Sequence, residues 1–122
     1  MTPPFEWSGF FRLAQELVRP AANEAELRTA ISRAYYCAYN LARQQAEREG
    51  PISARVDSHE AVWRSLERRG GLRGTIALDG KRLEHRRVDA DYRDVVPNVR
   101  ANAESALLLS ERTIQRLQRL GP

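Results

Sequence analysis

The chain has 122 residues, the usual size of one domain and long enough to bury a core without disulfides or a structural metal. Its single cysteine, Cys37, excludes an internal disulfide, and its two histidines leave no zinc-ligand spacing to consider. The formal net charge is +4, and of 20 basic residues only Lys81 is a lysine. Cys37 follows Tyr35 and Tyr36 in an apolar run, so a buried, inert thiol is expected. The N-terminal stretch has no basic region followed by an apolar segment, and no apolar run approaches the length of a membrane span. One cytoplasmic domain over residues 1–122, with no membrane association, is the expectation.

Ser8 can cap a first helix, in which Phe10, Phe11, Ala14, Leu17 and Val18 recur at helical spacing and Pro20 is the stop. Asn23 with Glu26 reads as a capping box opening a long second helix. Its apolar stripe is Leu27, Ile31, Ala34, Tyr35, Ala38, Leu41 and Ala42, and Gly50-Pro51 ends it. Asp57 with Glu60 forms a second capping box, before a short third helix carrying Val62, Trp63 and Leu66 and closed by Gly70-Gly71. Residues 72–80 read as a loop or a broken turn because of Gly74 and Gly80, and a fourth helix is placed from about Asp79 to Tyr92. Pro97-Asn98 starts the last helix, with Val99, Ala103, Ala106, Leu107, Thr113, Ile114, Leu117 and Leu120 on one side and Gly121 at its end. No strand alternation or internal repeat is visible. The expected fold is all-α, an up-and-down bundle of four to five helices joined by short connections.

The positive charge is concentrated. Nine basic and five acidic residues lie between Arg64 and Arg93, while the rest of the chain holds eleven of each, so this segment carries the whole excess. Such a stretch suits a polyanionic partner or, more simply, a solvated helix face.

Two segments carry a family resemblance. Residues 30–42, Ala-Ile-Ser-Arg-Ala-Tyr-Tyr-Cys-Ala-Tyr-Asn-Leu-Ala, place a small residue, an arginine and paired tyrosines on the long helix. Residues 86–92 read Arg-Arg-Val-Asp-Ala-Asp-Tyr, and Ser58-His59-Glu60 with Trp63 stands between the two segments. In order and spacing, from about residue 8 to residue 118, the chain resembles the HEPN family. The likeness is to a small stand-alone branch with Arg-Ala-Tyr-Tyr and Arg…Ala-Asp-Tyr motifs. The resemblance implies a four- or five-helix bundle that forms a homodimer through its long helices. It also implies an RNA-directed protein of a toxin–antitoxin or phage-defence system. Many members are metal-independent endoribonucleases, while others are inactive modules that bind RNA, a nucleotide or a partner protein. No cofactor and no metal is expected. Any antitoxin or nucleotidyltransferase partner would be a separate chain, because no glycine-rich phosphate loop or paired metal-binding carboxylates can be recognised.

The sequence departs from the active members at one point. They carry an arginine followed, after four to six residues, by a histidine. The arginine stabilises phosphorane charge and the histidine handles protons. Here Arg55 precedes His59, and Arg82 precedes His85, by too few residues, and Ala90 stands where active relatives of this branch place a histidine. Two functions stay open: an RNA-directed protein with possible endoribonuclease activity, and a catalytically silent module binding a partner protein or nucleotide. For the first, Arg86, Arg87, Asp91 and Tyr92 are the candidate catalytic residues. Arg33, Tyr36, Arg82, Arg86 and Arg87 are the candidate contacts to single-stranded RNA, arginines holding phosphates and tyrosines stacking on bases. Simpler readings stand beside these. Arg87 and Asp91 at i and i+4 suit a local ion pair, and Tyr35 and Trp63 suit the core. His59 suits capping or local packing, and Arg33, Tyr36, Asn40 and Arg43 suit a partly solvated stripe.

Overall fold

In the computed structural model, which describes residues 1–50 and 58–121, five helices account for the regular structure. They are α1 (Ser8–Leu17), α2 (Glu24–Glu49), α3 (Ser58–Arg69), α4 (Gly71–Tyr92) and α5 (Val99–Leu120). The fold is an all-α bundle. No helix of the described residues is long and apolar enough to cross a membrane.

The long second helix forms as its sequence dictates. The Asn23 side chain accepts from the Glu26 backbone N–H at 2.9 Å, and the Glu26 carboxylate accepts from the Asn23 N–H at 3.0 Å, completing the capping box. Leu27, Ile31, Ala34, Tyr35, Ala38 and Ala42 are all buried, and Cys37 is buried beside them, its thiol pushed up to about 11 by that burial. α2 packs against each of the other four helices, so its apolar stripe is enclosed within the chain. The small residues of the stripe let neighbouring backbones approach closely. Ser110 of α5 donates to the Ala34 carbonyl at 2.8 Å across one such approach.

Ser8 does not cap α1. The helix starts with Trp7 as its N-cap, and the Ser8 hydroxyl accepts instead from Arg12, at 3.5 Å. The second expected capping box includes Asp57, which lies outside the described residues, as does Arg55.

The fourth helix is longer than its sequence suggests. It begins at Gly71, so residues 72–80 are helical rather than a broken turn. Gly70 and Gly71, with φ of 65° and 58°, make the sharp link from α3, a backbone shape that side-chain-bearing residues rarely adopt. Gly80 is not a breaker. It lies against the Trp63 indole of α3, where any side chain would collide with the ring. Burial of Trp63, Ile76, Ala77 and Leu83 outweighs the roughly 1 kcal/mol that a mid-helix glycine costs.

α4 runs antiparallel to both α2 and α5, and arginines secure the arrangement. Arg28 of α2 donates to the carbonyls of Ala90, Arg93 and Asp94 at 3.1, 2.6 and 3.1 Å, satisfying the C-terminal end of α4 with positive charge. At the other end, Glu49 of α2 accepts from Arg73 of α4 at 2.6–3.0 Å. The Arg73 guanidinium holds the Glu49 carboxyl below the usual carboxylate range. Arg100 of α5 donates to the carbonyls of Arg19 and Pro20, just beyond α1.

Candidate functional site

The two motif segments meet in space. Packing α2 antiparallel to α4 sets Ser32 Oγ 3.4 Å from Asp91 Oδ2 and lays the Arg87 guanidinium over the rings of Tyr35 and Tyr36, at 5.4 and 5.6 Å. Arg33 lies over Tyr36 at 5.1 Å and over Phe10 of α1 at 4.7 Å, and it donates to Ser32 Oγ at 3.3 Å. Residues from three helices thus form one patch of arginine, ring and carboxylate. Arg33, Tyr36, Arg87 and Asp91 belong to it.

Arg87 is the unusual member. Its side chain is only 12% exposed, and its Asp91 partner stands 3.8 Å away, beyond hydrogen-bond distance. The buried Nε has no hydrogen-bond partner among the described residues. Two ring faces attract the cation but supply no acceptor. The expected local pair with Asp91 is present, and it leaves this largely desolvated charge incompletely satisfied.

Beneath the patch is a polar knot that sequence reasoning did not assemble. The Tyr35 hydroxyl lies 2.6 Å from His59 Nδ1 and 3.3 Å from Glu84 Oε2, and the Trp63 indole N–H donates to Glu84 at 3.1 Å and to Tyr35 at 3.3 Å. The His59 ring stacks on Tyr39 at 4.1 Å. Tyr35 is fully buried, and burial pushes its hydroxyl well above the usual tyrosine range, so it serves as a protonated donor. It has one proton for two acceptors, and the shorter approach is to His59. Tyr35 and Trp63 are core residues as expected, and both are also hydrogen-bonded through their polar ends. Glu84 had no local signal, since its partners come from other helices. His59 and Arg87 both border Tyr35 and Tyr36, which brings a histidine and an arginine together from α3 and α4 without the linear spacing.

Arg82 and Arg86 belong to a different side of α4. With Lys81 and His85 they line a groove of about 500 Å³ between α4 and α5, floored by Ile31, and Arg86 donates to Asn102 of α5. Tyr92 stands 75% exposed at the end of α4. The α4 candidates therefore fall on two faces of that helix, and an i, i+4 rule alone cannot say which face meets which neighbour. No group of three or more His, Cys, Asp or Glu among the described residues could hold a metal ion.

No family model, curated protein or solved structure matches the chain.

Proposed function

We propose that this chain is an RNA-directed, HEPN-like protein, a component of a toxin–antitoxin or phage-defence system. The observation that carries the RNA reading is Arg87: a cation 12% exposed, stacked on two tyrosines, with an orphaned Nε and only a long ion pair to Asp91 at 3.8 Å. A phosphate oxygen would pair with the solvent-facing side of this guanidinium, and Tyr36 and Arg33 beside it offer stacking and a second positive charge. Arg82, Arg86 and Lys81 in the neighbouring groove extend the positive surface.

Endoribonuclease activity is the enzymatic form of this proposal. His59 with Arg87, near Asp91, supplies the residue types that metal-independent cleavage needs. The silent-module reading is favoured by the missing linear arginine–histidine pair. Incubating the protein with labelled total RNA, with and without a chelator, separates the two. Chelator-resistant fragments that disappear in Arg87→Gln support cleavage, and intact RNA supports the silent module.

Binding is expected to be steeply salt-dependent. Replacing Arg82, Arg86 and Arg87 with glutamine should lower the log–log slope by about 0.7 for each phosphate of a single strand that is no longer neutralised. A slope unchanged in the triple variant would reduce these arginines to solvated surface.

The proposal includes a homodimer. Since α2 encloses its apolar stripe within the chain, the dimer interface would draw on exposed apolar residues such as Val88, Tyr92 and Val95. Light scattering at tens of micromolar should report twice the 13.9 kDa chain mass, and a single-chain mass would rule the dimer out.

A further inference from the structure

Along the seam between α4 and α5, one carboxylate faces three guanidiniums. Asp79 of α4 is 1% exposed, and Arg112 of α5 donates to its two oxygens at 3.2 and 3.1 Å. Arg116 of α5 also donates to it, and Arg82 of α4 lies 3.5 Å from its Oδ1. Among the described residues Asp79 is the only carboxylate within 4.0 Å of any of the three arginines. The cluster therefore holds two uncompensated positive charges. Its arginines are not sealed in: side-chain exposure is 57% for Arg82, 39% for Arg112 and 25% for Arg116.

This geometry suits an anion arriving from solvent. A carboxylate oxygen pair cannot engage all the donors of three guanidiniums, since each has five N–H groups in a planar fork. Asp79 fixes the heads of Arg112 and Arg116, so less side-chain freedom is lost when a second acceptor binds. Arg82 belongs both to this cluster and to the groove holding Lys81 and Arg86, and Asp79 and Arg86 are about two turns, roughly 10 Å, apart along α4. Arg82 thus links the groove, which Asp89 also lines, to the arginines of the seam on α5.

We infer that Arg112 and Arg116, with Arg82, form a second phosphate-binding patch for single-stranded RNA, continuing the groove of α4 onto α5. The inference rests on the RNA reading above and adds to it two residues that lie outside both motifs and outside the basic segment.

The test measures binding of a labelled single-stranded oligoribonucleotide of about ten residues, within the range that one such surface covers, to the full chain across a salt series. Two variants probe the seam. Arg116→Gln removes one donor while Asp79 keeps Arg112 and Arg82. Leu108→Glu keeps every residue of the cluster and places a carboxylate one turn before Arg112, where it pairs with that guanidinium in competition with phosphate, at a position already 54% exposed. Both variants should weaken binding at low salt, and Arg116→Gln should lower the log–log slope by about 0.7. Wild-type affinity and slope in both, alongside weakened binding in an Arg86→Gln, Arg87→Gln double variant that keeps Arg82, would overturn the seam patch and leave the RNA reading standing. No binding by the wild-type chain would overturn both. Displacement by poly-glutamate as effective as by unlabelled RNA would also overturn the inference, assigning the seam to an acidic protein surface.

Discussion

Gly80→Ala should destabilise the protein by about 2 kcal/mol, although alanine is the better helix former. In an exposed helix interior the same change would stabilise by roughly 1 kcal/mol. Here the added Cβ would meet Trp63 Cε3 at 2.6 Å, with Cζ3 and Cη2 closer still. Trp63 has no easy retreat. Its side chain is among the largest fully buried ones, and its indole N–H is held by Glu84 and Tyr35. Overpacking of this kind costs about 1–3 kcal/mol and more where the neighbour is fixed, which exceeds the helical gain. Thermal or urea unfolding measures the loss. A double-mutant cycle with Trp63→Phe gives the cause, because a smaller ring should recover part of the alanine penalty. An alanine variant as stable as the wild type would show that the packing of α3 on α4 relaxes freely, and the close approach would explain nothing about the glycine.

Asp79→Ala should be costlier still, by about 3 kcal/mol or more. Removing one member of a buried ionic cluster leaves the others uncompensated, a loss of about 3–5 kcal/mol in enclosed sites. The carboxylate is fully enclosed but its arginines reach solvent, so the lower end of that range applies. Arg112 and Arg116 would also lose the acceptor that ties α5 to α4. Chemical unfolding in low and high salt provides the measurement. The wild type should be the more stable at both, with the difference only partly screened by salt, as expected for a carboxylate shielded from water. A difference under about 0.5 kcal/mol would mean that the arginines simply turn to solvent.

The sequence by itself determined the all-α class, the Asn23–Glu26 cap, the buried stripe of α2 and the interior positions of Tyr35, Cys37 and Trp63. Each follows from spacing within a few residues, where helical geometry fixes which side chains share a face. It also contained the Arg87–Asp91 pair, one turn apart. Only the tertiary structure decided what α4 does. Gly74 and Gly80 read locally as breaks, yet α4 is helical from Gly71; at Gly80 a tryptophan from another helix occupies the space a side chain would take, while a Cβ at Gly74 would meet nothing within 4 Å. Arg82, Arg86 and Arg87 look equivalent in a basic run, yet Arg87 stacks on the tyrosines of α2 while Arg82 and Arg86 face α5. Glu84 and Asp79 carry no local sign of their partners. A charged side chain can be enclosed, as Asp79 is, or half-buried, as Glu84 is, only when partners from elsewhere satisfy it, and those partners, Tyr35 and Trp63 for Glu84, Arg112 and Arg116 for Asp79, are brought by the fold from positions 21 to 49 residues away in the chain.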